Sequence, residues 1–262
     1  MLERHPNALG AIVAIGLNTF REAIRDRVLY LMLVFALIII GISRLLSLLT
    51  VGDEEKIIKD VGLSAISLFG VMTAVFVGVS LVFKEIERRT VYTLLAQPVL
   101  RSHFLFGKFI GLFAVLLLNV VLMSAALFAL LLFHGEPPWP LLPALLLIAV
   151  ELAVVTAFAL LFSSLTNPVL ASVWTFAVYV AGHLSWSLLT LREKVPEGVA
   201  RWICDGLYWV LPNLKRLDLK AQVVHGFGMP EGYVGLAAVY GLGYGAVIVA
   251  LACWAFSRKE FN

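Results

Sequence analysis

LLPALLLIAVELAVVTAFALLFSSLTNPVLASVWTFAVYVAGHLSWSLLTL, residues Leu141–Leu191, holds one carboxylate, Glu151, and one histidine, His183, and is otherwise uncharged. A helix needs about 20 apolar residues to cross a hydrocarbon core about 30 Å thick. This stretch contains two such runs, Leu141–Leu165 and Pro168–Leu191. Thr166, Asn167 and Pro168 leave room between them only for a tight turn, so the two runs form an antiparallel hairpin. Working outward, four more runs meet the same length: Val28–Leu49, Val61–Phe83, Phe109–Phe133 and Val234–Phe256. The expected fold class is an all-α integral membrane protein with six transmembrane helices in a single domain, residues 1–262.

Composition agrees. Of 262 residues, 61% are hydrophobic and 14% charged, with a mean hydropathy of +0.96. A soluble domain carries about 25% charged residues, so a water-soluble globule is excluded, and the spans leave no room for a soluble catalytic domain. The net charge of +3 is modest and its cations sit beside the spans. Lipid head groups are therefore their counterpart, and the clustered basic stripe of a nucleic-acid binder is missing.

Between the ends and the spans lie three informative regions. Residues 8–27 begin with a short apolar run, Ala8–Leu17, followed by Asn18, Phe20, Arg21 and Glu22 where a signal peptide would need small residues. They read as an amphipathic helix lying in the interface. Residues 84–108, KEIERRTVYTLLAQPVLRSHFLFGK, carry a short apolar stripe of Val91, Leu94 and Leu95, a helix stop at Pro98 and a candidate cap at Ser102. The long segment 192–233 mixes Trp202, Tyr208, Trp209 and several leucines with charges, which suits helices at the opposite interface. Lys and Arg concentrate near the N-terminus, in 84–108 and at Arg258–Lys259, so both termini are expected on the cytoplasmic side, with Arg44 snorkelling outward.

Ionisable groups at membrane depth are costly and mark candidate sites. Glu151 and His183 each stand about 16 residues from the turn, about 24 Å at about 1.5 Å per residue. At equal depth on neighbouring helices they can meet as a proton relay, a substrate contact or a structural hydrogen bond. Phe176, Tyr179, His183 and Trp186 share one helical face, so Phe176 and Tyr179 are candidates to line a path. Asn119 and Thr156 read as helix-to-helix hydrogen bonds. The pairs Gly107/Gly111 and Gly241/Gly245 have the spacing that lets helices approach, more simply within the chain than between chains. No phosphate-binding loop, HExxH or CxxC motif occurs. Cys204 and Cys253 fall near opposite surfaces, and cysteines and methionines are not grouped as a copper path would need.

The order of parts resembles the permease subunit of type-2 ATP-binding-cassette exporters. Within Lys84–Lys108 the likeness is carried by Glu85, Glu87, Thr90, Leu94, Leu95, Pro98, Val99, Arg101, Gly107 and Lys108, with Arg89 where that family has a glycine. Leu211-Pro212-Asn213-Leu214-Lys215-Arg216-Leu217-Asp218-Leu219 is similar to the outer segment of permeases associated with multicopper-enzyme maturation, such as the nitrous-oxide-reductase maturation permease. The resemblance implies a non-catalytic permease in the bacterial plasma (inner) membrane, with no cofactor on this chain. ATP and Mg would be bound by a partner ATPase present in two copies, beside a second permease, identical or closely related. Residues 84–97 would be the coupling helix, with Glu85, Glu87, Arg88, Thr90, Leu94 and Leu95 at the ATPase. A periplasmic accessory protein stays open, as do two rivals: a proton-coupled secondary transporter using Glu151 and His183, and a haem- or quinone-type anchor subunit.

Overall fold

The computed structural model describes residues 8–48, 53–87, 101–194, 206, 210–228 and 230–258. Among them every regular element is helical: α1 (Ala8–Ile24), α2 (Arg27–Ser47), α3 (Glu54–Glu87), α4 (Arg101–Phe133), α5 (Leu142–Leu165), α6 (Pro168–Lys194), α7 (Lys220–His225) and α8 (Tyr233–Arg258). Two 3-10 turns, Trp139–Leu141 and Leu214–Leu217, complete the set. Six of the α-helices, α2 to α6 and α8, are long and apolar enough to cross a membrane.

Local chemistry sets the breaks. Asp26 ends α1 and caps α2, its carboxylate accepting the Val28 N–H at 2.9 Å. At the central hairpin Thr166 goes extended and stops α5. Asn167 Oδ1 then accepts the Leu170 N–H at 2.9 Å, and Pro168 opens α6, where a missing N–H costs nothing. Gly226, at φ 66°, closes α7 in the left-handed conformation that side chains avoid.

Some boundaries differ from the hydropathy reading. α3 starts at Glu54 rather than Val61, with Glu54 and Glu55 in its first turn, where the helix dipole favours carboxylates. It also runs unbroken through Lys84–Glu87, so those residues are the end of a span helix, and residues 88–97 of the expected coupling helix lie outside the described residues. α4 starts at Arg101, which makes Ser102 a first-turn residue and not the cap. Charged residues end the hydropathy signal while still favouring helix. Arg44 pairs with Glu54 at 2.8 Å across the α2–α3 turn. Lys59, nearly buried, pairs with Glu55 one turn back and approaches Glu136 at 3.9 Å.

The most enclosed spans are α3 and α5; α2 and α6 are the least. α5 lies between α3 and α8, and α2 packs on α3 with Phe35 and Phe69 stacked at 6.4 Å. Lipid is as apolar as leucine, so helices here associate by fit and not by escape from water. The glycines show that fit. A Cβ on Gly111 would sit 2.4 Å from the Gly16 carbonyl oxygen, and one on Gly107 would sit 2.9 Å from the Ile12 oxygen. The pair therefore seats α1 against α4 within the chain. Gly241 likewise faces Val150, so α8 closes on α5.

Candidate functional site

Two places gather polar chemistry inside the bundle. The first lies where α3 ends and α4 begins. Lys108 is fully buried, donates to the Leu81 carbonyl of α3 at 3.3 Å, and stands 5.6 Å above the Phe104 ring. Around it, Ala23, Leu29, Val77, Leu81, Phe104, Leu105 and Phe256 bring α1, α2, α3, α4 and α8 into one apolar cluster. Gly107 and Gly111 fasten α1 to the same turns of α4. A displacement of the chain between α3 and α4 would thus be passed to three helices through one joint. Of the expected coupling residues, Glu85 and Glu87 occupy the last turn of α3, while Arg88, Thr90, Leu94 and Leu95 lie outside the described residues.

The second place is in the other half of the spans. Glu151, only 1% exposed on α5, brings Oε1 to 3.3 Å from Nε2 of His183 on α6. The angles do not make this contact a hydrogen bond, and neither atom has another hydrogen-bond partner among the described residues. The other ring nitrogen of His183 faces the Tyr179 carbonyl at 3.3 Å, and the Tyr179 ring lies 4.7 Å from the imidazole. Phe176 continues the ladder at 6.1 Å but is 44% exposed, so only its Tyr179 edge belongs to this cluster. The side chain of Trp186 lies outside the described residues.

Sequence reasoning missed what closes over that pair. Residues 210–225 do not merely rest at an interface. Leu214, Leu217 and Leu219 are buried against α5, α6 and α8, and the Pro212 carbonyl would meet a Cβ on Gly182 at 2.9 Å. From this inserted segment Lys220 reaches α3, donating to Ser67 Oγ at 3.3 Å, and Tyr179 interacts with the same serine. Asp218 binds Lys215 at 3.0 Å and approaches Lys220 at 3.8 Å. Partial burial pushes the Asp218 carboxyl up, but Lys220 and Lys215 outweigh it and hold the group below the usual carboxylate range. Both Lys220 and Asp218 lie near enough to act electrostatically on Glu151 and His183.

Three tyrosines of α8 latch the segment. Tyr233 donates to the Arg216 carbonyl at 3.0 Å and Tyr244 to the Val210 carbonyl at 2.6 Å, while Tyr240 Oη accepts the Asn213 N–H at 2.9 Å. Arg216 adds a cation–π contact to Tyr240 at 5.4 Å. Lys215, Arg216 and Lys220 are thus each engaged in a contact among the described residues. Asn119 donates to Thr73 at 3.5 Å, whereas Thr156 turns back to the Leu152 carbonyl at 2.6 Å on its own helix. Among the described residues no cluster of three or more His, Cys, Asp or Glu side chains could hold a metal.

A bundle with six helices able to span a membrane and a buried lysine joint between α3 and α4 is what the described residues form. The sequence model of the ABC-2 family transporter proteins matches residues 13–261, nearly the whole chain. The chain belongs to that family. It is an ABC-2 transporter permease, a multi-pass membrane subunit of a kind that is typically non-catalytic. No curated protein matches it significantly. Within this ABC-2 permease the joint and the polar cluster are built from separate residues in different halves of the spans.

Proposed function

We propose that this permease moves its cargo by receiving mechanical work from two copies of a separate ATPase, which bind ATP and Mg and hydrolyse the nucleotide outside this chain. Two permease chains, identical copies in this reading, stand side by side in a bacterial plasma membrane with all termini cytoplasmic. The distribution of Lys and Arg supports that orientation. Residues 84–97 dock in a groove of the ATPase through Leu94 and Leu95, flanked by Glu85, Glu87, Arg88 and Thr90, in the manner of an amphipathic helix in a groove. Closure of the ATPase pair pushes this element, and the push reaches α1, α3 and α4 together.

One observation carries the reading: Lys108, wholly buried, ties the first turns of α4 to the Leu81 carbonyl of α3 directly inside that segment. A lysine taken out of water needs compensation, and here the compensation is a contact between the two helices that the segment joins. The likeness of Leu211–Leu219 to the outer segment of multicopper-enzyme maturation permeases supports kinship with them in this reading. Copper as the cargo does not follow from that likeness, since the cysteines and methionines of the sequence are not grouped.

Co-expression with a candidate ABC ATPase tests the proposal. A stable complex is expected, and Leu94→Glu with Leu95→Glu should dissociate it and abolish the permease-dependent part of ATP hydrolysis. Solute movement by the permease alone in liposomes, driven by a proton gradient, would instead assign Glu151 and His183 to proton coupling and overturn the exporter reading.

A further inference from the structure

On the outer face of the bundle, α4, α5 and α8 enclose a groove of about 350 Å³. Its walls are almost wholly apolar: Phe106 of α4, Ala153 of α5, and Leu242, Ala246 and Ala250 of α8, with Ser102, His103 and Cys253 at one end. Ala246 and Ala250 are exposed and small, so they form a floor instead of filling the space. Side chains on a helix form ridges along every fourth residue. The ridge that carries Leu242, Ala246 and Ala250 runs on to Trp254 and Arg258. Arg258 lies with its guanidinium 4.3 Å from the Trp254 ring centre, a cation held at the level where tryptophan marks a membrane interface.

We propose that this groove holds one acyl chain of an anionic glycerophospholipid, with the lipid phosphate at Arg258. Three observations converge on that occupant. From Leu242 to Cys253 the groove follows eleven residue steps of helix, about 16 Å at about 1.5 Å each. That matches one leaflet of a hydrocarbon core about 30 Å thick, so the slot is as deep as one acyl tail. Away from its Ser102, His103 and Cys253 end the walls offer a tail no polar competitor, and just beyond that end, on the same ridge of α8, stands a stacked guanidinium, which pairs with phosphate better than a lysine would. Because Ser102 lies in the first turn of α4 and its carbonyl receives the Cys253 thiol at 3.7 Å, the same lipid would splint the start of α4 to the end of α8. The proposal needs only a membrane-spanning bundle and is independent of how the ATPase couples.

The test uses the full-length permease equilibrated in vesicles of equal parts phosphatidylglycerol and phosphatidylcholine, then purified, with retained phospholipid counted by native mass spectrometry. An arginine near the surface contributes about 1 kcal/mol toward an anionic head group, about a fivefold preference. Wild type should retain phosphatidylglycerol over phosphatidylcholine by about that ratio. Arg258→Gln should bring the ratio to about one while keeping the total, and Ala250→Phe should remove about one retained lipid per chain. Ala246→Leu serves as a second block should Ala250→Phe fail to fold. Equal retention by blocked and wild-type protein overturns the proposal, as does a ratio that ignores Arg258→Gln. A Cys253-linked dimer formed on oxidation of Cys204→Ser protein also overturns it, by giving the groove to a second copy.

Discussion

At the end of the bundle where α4 begins, helices are joined by what is missing: Gly107 and Gly111 carry no side chain, and α1 lies against their backbone. At the other end, joining is done by what has been added. Tyrosine hydroxyls and a lysine fasten residues 210–225 over Glu151 and His183. The first kind of contact is stiff, because interpenetrating backbone has no alternative rotamer. Hydrogen bonds near an interface are exchangeable, since water and neighbouring groups can replace either partner. The proposed drive by an ATPase from one side would call for such an asymmetry, with a joint that transmits and a cover that can release.

The sharpest way to break the comparison is Gly111→Leu. Its Cβ alone would stand 2.4 Å from the Gly16 oxygen and 2.7 Å from Thr19 Cβ, so α1 must leave α4. Overpacking of this kind costs about 3 kcal/mol or more. Loss of folded yield and a much lower melting temperature in detergent are expected. A normal melt would show that α1 is not part of the joint.

Lys108→Met comes next, keeping the stem and removing the donor to Leu81. A hydrogen bond from a charged group contributes about 1.5 to 3 kcal/mol. Folding should survive at reduced stability, while the ATPase in the complex loses its response to the permease. Full retention of that response would reduce Lys108 to a packing residue. Glu151→Gln sharpens the other side: with His183 still 3.3 Å away, stability should fall by about 1 kcal/mol and ATP hydrolysis should hold. Unchanged melting with transport abolished would move Glu151 from the frame to the path.

How far the sequence reaches into this comparison depends on what fixes each contact. Span positions are legible because hydropathy alone decides them. The meeting of Glu151 and His183 is legible for a different reason: a three-residue turn fixes the register of the hairpin, and equal distance from it means equal depth. Lys220 and Ser67 are separated by 153 residues along the chain, and no periodicity links them. Their contact depends on how an irregular segment folds inward, which composition read as interfacial. The spacing of Gly107 and Gly111 says that a backbone will come close, yet nothing in it names α1 as that backbone.

The smallest expected effect concerns the cover itself and its dependence on pH. Lys220 and Lys215 hold the Asp218 carboxyl below the ordinary carboxylate value of about 3.9. A group whose folded value is depressed stabilises the folded state fully above its unfolded value, and that stabilisation is lost as pH falls through the folded value. The contribution should therefore be constant from neutral pH down to about pH 5 and disappear on the acid side of about 3.9. Partly exposed pairs of this kind contribute about 0.2 to 1 kcal/mol. Wild type should melt slightly above Asp218→Asn at pH 6, and the gap should close as the two are compared at successively lower pH. A gap that persisted in acid would mean that Asp218 shapes the segment through its hydrogen bond from the Lys220 N–H and not by charge.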